Sequence, residues 1–201
     1  MEPTASSIVV KTVVAHTVSY VVVGMLAFVL FDYPRLYAET DLRYLMRQTT
    51  DPMVMAGPLF QPIRGVLFGV AFVILRRSFF APNKGWLLMW IALLFLSILG
   101  SFGPTPASIE GMIYTTIPLR VQLLGLPEVL LQSFLLSVIV FFWVRNPQAK
   151  WFRRTMWSLF VLVLLFPLLG ILGAGQKKKP NKAPEPTPTS VTPPANGLKT
   201  E

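Results

Sequence analysis

The sequence predicts an all-α fold, a multi-pass transmembrane helical bundle of about five transmembrane helices followed by a disordered C-terminal tail. Three observations predict it. Of 201 residues, 53% are apolar and only 13% charged, whereas an ordinary soluble domain is about one-quarter charged. Mean hydropathy is +0.59, and a soluble chain of this size keeps roughly 30% of its unfolded surface in contact with water, a surface this composition cannot cover with polar groups. The apolar residues also fall in separate runs near the ~20 residues that a ~30 Å hydrocarbon core requires. The bundle is expected over residues 1–175 and the tail over 176–201.

The first span, 8–31, reads IVVKTVVAHTVSYVVVGMLAFVLF. It exceeds the 7–15 apolar residues typical of a signal-peptide h-region and lacks a small-residue cleavage pattern, so it is expected to be retained. The second span, 58–75, ends at Arg76 and Arg77 and is interrupted by Arg64. The third, 86–102, carries Trp86 and Trp90 near one end. The fourth, 127–144, opens on Pro127, a residue suited to a first helical turn because its missing N–H has no partner there. The fifth, 155–174, has Trp151 and Trp157 about its start and Pro167 inside. Tryptophans at span ends suit the amphipathic membrane interface.

The connections differ in character. Residues 32–57 are polar, with a short helix expected near Asp41–Gln48. Residues 78–85 and 146–154 are short and basic. Residues 103–126 hold Pro104, Pro106 and Pro118 beside Glu110 and Arg120. They are too apolar for a free loop and too interrupted for a span, and are expected to lie in the interface or re-enter the bundle, buried against protein. The tail from Gln176 is rich in Pro, Thr and Lys and has no apolar face to bury.

The net charge is +9, with a pI near 10.2. The cations flank apolar runs, as topology and snorkelling require, so no nucleic-acid partner is expected. The basic connections hold Arg76, Arg77, Lys84, Arg145, Lys150, Arg153 and Arg154 without an acid, whereas the other two contain Asp32, Glu39, Asp41, Asp51 and Glu110. The basic pair should face the cytoplasm of a cell (plasma or inner) membrane, placing the N-terminus there. Five crossings leave Lys177, Lys178, Lys179 and Lys182 on the opposite side, in tension with that bias. The expected partners are the lipid bilayer and other membrane subunits.

Zero cysteines and one histidine exclude disulfides, thiolate metal sites and multi-histidine metal centres. No cofactor is expected. Neither a phosphate-binding glycine loop nor H-E-x-x-H nor G-x-S-x-G occurs, and no catalytic residue is identified. Polar groups at membrane depth are then the candidates, because they are costly there. His16 lies about 12 Å into the first span at 1.5 Å per residue, with Thr12, Ser19 and Tyr20 on its face. It suits either a ligand contact or a hydrogen bond to a neighbouring helix.

Gln61 and Arg64 open the second span; Arg64 suits a carboxylate or phosphate headgroup, an ion pair with Glu110 or Glu128, or simple snorkelling. Gly65 and Gly69 form a G-x-x-x-G that permits close helix approach. Glu128 suits a helix start electrostatically, and Gln132, Ser133 and Ser137 follow it. Three functions fit these residues. The first is a non-enzymatic membrane subunit or ligand-binding bundle, in which Arg64, Glu110 and Glu128 pair with one another and leave no open cavity. The second is a small transporter or channel component. The third is a membrane-embedded enzyme on a lipid-like substrate, with Glu110 or Glu128 as acid/base and Arg64 as anion clamp.

Overall fold

The first helix packs against three of the other long helices. In the computed structural model, which describes residues 3–39 and 41–176, the described residues form helices and turns and no strand. The disordered tail expected over 176–201 lies outside the described residues apart from Gln176, which ends a helix. Helix α1, Ala5–Leu30, packs against α4, Gly57–Ile74, α9, Leu126–Arg145, and α10, Lys150–Gln176. Helix α6, Gly85–Ala92, continues as a π-helix over Leu93–Leu99 and packs on α9. Short helices complete the chain: α2 (Tyr33–Glu39), a 3₁₀ turn (Asp41–Tyr44), α3 (Pro52–Met55), α5 (Arg76–Phe80), α7 (Ile109–Tyr114) and α8 (Leu119–Leu124).

Among the described residues, four helices are long and apolar enough to cross a membrane: Ala5–Leu30, Gly57–Ile74, Leu119–Arg145 and Lys150–Gly170. The third predicted span, 86–102, is shorter than expected and ends at Leu99. Its last seven residues adopt the wider π geometry, closed by Gly100 N–H on the Phe95 carbonyl at 2.8 Å. Ser101, Gly103 and Pro104 then follow, residues that do not extend a helix.

Other boundaries also move. Thr4 accepts the Ser7 N–H and starts α1 three residues earlier than the apolar run, as an N-cap oxygen satisfies a donor left without a helical partner. Helix α10 begins at Lys150 rather than 155, so Arg153 and Arg154 are helical. Pro167 remains inside that helix. The short helix expected near Asp41–Gln48 is the 3₁₀ turn Asp41–Tyr44.

The G-x-x-x-G is where α1 and α4 meet. A Cβ built on Gly65 would lie 2.7 Å from Val13 Cα, and one on Gly69 2.9 Å from Val9 Cα. Only hydrogen fits between these backbones. In a lipid solvent, where the tails are as apolar as leucine, such close packing is a main source of helix association. The buried hydroxyls of α1 do not oppose burial, because they bond within the helix. Thr12 Oγ1 donates to the Ile8 carbonyl at 2.8 Å, Thr17 Oγ1 to Val13 at 2.9 Å, and Ser19 Oγ to His16 at 3.1 Å. Serines of α9 do likewise, Ser137 to the Ser133 carbonyl and Ser133 to Leu130.

The contacts also set direction. Val9 meets Gly69 and Val13 meets Gly65, so α4 runs antiparallel to α1. Lys11 Nζ donates to the Trp143 carbonyl at 3.2 Å, and the space beside Gly24 is taken by Glu128, so α9 does too. Arg145 donates to the Pro82 carbonyl and to Asn83 Oδ1, which brings the two basic connections to one end of the bundle, the end of Lys11.

Val substituted at Gly65 or Gly69 is expected to lower stability by about 1–3 kcal/mol or more, the usual overpacking penalty. Thermal unfolding in detergent checks this. Gly57→Ala, at a position with nothing within 4 Å of an added Cβ, should leave the midpoint nearly unchanged.

Candidate functional site

Opposite the basic end, the helices leave two adjoining cavities. The larger, about 360 Å³, is bounded by Tyr20, Tyr33 and Tyr37, by Arg64, Glu128 and Gln132, and by apolar side chains that include Leu36, Leu42, Ile98, Val121 and Leu124. That volume is within the range of small-molecule sites, ~300–1,000 Å³. The smaller, about 50 Å³, is bounded by His16, Arg64, Phe68, Ser97, Gln132 and Ser133, among others. Arg64, Ser97, Ile98, Val129 and Gln132 border both.

The α1–α4 contact decides the register of the polar groups. With Val13 seated on Gly65, one further turn of each helix brings His16 opposite Gln61. His16 Nε2 and Gln61 Oε1 are 3.2 Å apart, and both residues are buried. Gln61 Nε2 donates to the Gly57 carbonyl at 3.3 Å. That bond turns the amide so that its oxygen faces the imidazole. An amide oxygen only accepts, so His16 carries its proton on Nε2, and Nδ1 is left as a bare acceptor. Phe68 packs edge-on against the ring, centroids 5.0 Å apart.

Arg64 extends from α4 with its guanidinium carbon 5.5 Å from the Phe68 centroid and is exposed. The ion pairs among the described residues are Arg35–Glu39 and Arg47–Asp51. The expected pairing of Arg64 with Glu110 or Glu128 does not form. Glu128 Oε2 instead accepts the Tyr33 hydroxyl, and Tyr33 stacks on Tyr37 with centroids 5.3 Å apart. Burial, then the hydrogen bond to Glu128, pushes the Tyr33 hydroxyl above the ordinary phenol range; burial, then the Glu128 charge, does the same for Tyr37. Both phenols therefore stay neutral donors at physiological pH.

Of the six sequence candidates, His16, Gln61, Arg64, Glu128 and Gln132 gather about these cavities, Gln61 through its bond to His16. Glu110 does not: it sits in the first turn of α7 and borders neither cavity. Thr12 and Ser19 keep their places beside His16 on α1, but their hydroxyls are buried and bonded to their own helix, while Tyr20 borders the larger cavity. Tyr33, Tyr37 and Ser97 join the site without a signal in the sequence, because their elements reach it only through tertiary packing.

Gln122 was also missed. It is 2% exposed, and its amide organises residues 107–117: Oε1 accepts the Ala107 N–H, while Nε2 faces the Gly111 and Ile117 carbonyls and Thr115 Oγ1 at 2.9–3.3 Å. Ala107 itself takes the left-handed conformation, φ 68°. An added Cβ on Gly111 would meet the Thr105 carbonyl oxygen at 1.9 Å. A lone glutamine in the apolar run LRVQLLG is the clue that was available.

No protein-family model, curated protein or solved structure matches this chain.

Gln122→Leu strands one N–H and several carbonyls in a buried site. The expected loss is roughly 2–4 kcal/mol, a few hydrogen bonds' worth. Limited proteolysis should show faster cleavage within residues 103–118, with α1 and α4 cut no faster.

Proposed function

We propose that this chain is a non-enzymatic ligand-binding bundle of the membrane, whose larger cavity takes an amphiphile with a singly charged anionic head. The observation that carries the reading is Arg64: a guanidinium without a carboxylate within 4 Å among the described residues, bordering a cavity with mostly apolar walls. A permanent cation in low dielectric favours an anion, and its planar fork matches phosphate or carboxylate oxygens. The apolar walls suit an acyl or isoprenoid body. Glu128 on the same cavity disfavours a second negative charge on the head.

The enzyme alternative used Glu110 as one of two acid/base candidates; Glu110 borders neither cavity, and a lone Glu128 engaged by Tyr33 supports general acid–base work poorly. The first reading expected Arg64 paired with Glu110 and Glu128 and no open cavity; Arg64 is unpaired among the described residues and borders a cavity, which favours the ligand-binding form of that reading. The bilayer is the natural source of such an amphiphile. The acid-free basic end belongs on the cytoplasmic face of a cell membrane, with the cavity toward the other side.

Arg64→Gln should weaken binding of phosphatidylglycerol about 10- to 100-fold, as loss of a charged hydrogen-bonding group does. Native mass spectrometry of detergent-solubilised protein reads this directly, and Arg154→Gln at the basic end should bind like the parent. Equal binding by the parent and Arg64→Gln ends the proposal.

Orientation has its own test, helped by the absence of native cysteine. Ser78→Cys and Gln148→Cys should resist a membrane-impermeant maleimide added outside intact cells, and Thr50→Cys should react. The reverse pattern inverts the topology.

A further inference from the structure

The smaller cavity is bordered by two residues with a buried polar atom that no described residue satisfies. His16 is 2% exposed and its Nδ1 has no hydrogen-bond partner; Gln132 Nε2 is likewise buried and unpartnered. Both residues border the same cavity of about 50 Å³. Their chemistry is complementary. The Gln61 amide leaves Nδ1 of His16 as an acceptor, while Gln132 Nε2 can only donate. Buried groups of this kind are nearly always paired in native proteins, so a missing occupant must both donate and accept.

Resting on the ligand-binding reading above, we propose that the smaller cavity is a hydroxyl subsite: a headgroup hydroxyl of the bound anionic amphiphile donates to His16 Nδ1 and accepts from the Gln132 amide. The cavity adjoins the larger one through Arg64 and Gln132, which border both, so a head whose anionic group meets Arg64 carries its next few atoms to the subsite. A single water needs about 10–15 Å³ of such space; this cavity has room for a hydroxymethyl group. A ligand without the hydroxyl leaves both buried atoms unpaired, and discrimination of that kind is stronger than an apolar pocket achieves.

The test compares phosphatidylglycerol with phosphatidylmethanol, which has the same single charge and no headgroup hydroxyl. Binding of each to the full-length protein in detergent is read by native mass spectrometry. The parent should prefer phosphatidylglycerol by about tenfold or more, the effect of one or two unpaired buried groups. Gln132→Met, similar in size and without a donor, should abolish the preference for phosphatidylglycerol. If Gln132→Met fails to fold, Gln132→Leu, also without a donor or a charge, replaces it in the same comparison.

Equal binding of the two lipids by the parent, with Arg64→Gln weakening both, means that the cavity holds water only; the subsite is then overturned and the Arg64 reading stands. A preference that survives at Gln132→Met places hydroxyl recognition elsewhere and also overturns it. Binding insensitive to Arg64→Gln removes the underlying reading, and the subsite with it.

Discussion

The contact of α1 with α4 is a backbone contact, and most of the site's geometry descends from it. Val9 and Val13 sit where Gly69 and Gly65 have only hydrogens, with space for no larger group. Because hydrocarbon gives apolar side chains no reason to leave lipid for protein, association rests on how many atoms meet and how closely. Two glycines a helical turn apart make a seam of that kind, and the seam admits one register. That register puts His16 against Gln61. A slide by one residue along either helix would break the hydrogen bond and bury an imidazole beside hydrocarbon, so packing and polar pairing select the same arrangement.

The cavity follows from what fails to fill the opposite end. Helix α6 passes into a π-helix and stops at Leu99, short of the reach of its neighbours. The space beyond is covered by short helices and by the residues gathered about Gln122. These caps are held by hydrogen bonds: Gln122 to four backbone or hydroxyl groups, Tyr33 to Glu128. Polar caps over an incompletely packed apolar bundle leave a pocket with one charged wall and several greasy ones. At the other end Arg145 ties the two basic connections together, and an opening over residues 73–78 is bordered by Arg76 and Arg77. The two ends therefore differ in charge.

Much of this was legible in the linear pattern. Long apolar runs placed α1, α4, α9 and α10 within a few residues, since a helix in lipid must satisfy its own backbone and the run length reports the span. The third run misled, because Leu93–Leu99 is as apolar as an α-helix and nothing in its composition marks π geometry. Boundaries moved where a local hydrogen bond outweighed hydropathy, as at Thr4. The G-x-x-x-G was legible as a possibility, and so was the cost of placing His16, Gln61, Arg64 and Gln132 at membrane depth. Glu110 was overvalued because charge alone gives no hint of whether a loop turns toward the bundle or away from it.

What the sequence by itself determined was the solvent of each segment and the end at which the cations gather, since hydropathy and charge are summed along the chain and need no partner. Which polar groups meet was left to tertiary structure. Hydrogen bonds act over about 3 Å, and the positions of His16 and Gln61, Tyr33 and Glu128, or Arg64 and its unpaired surroundings depend on helix register and loop path. Those are set by close packing between segments distant in sequence, and a periodic apolar pattern carries no record of them.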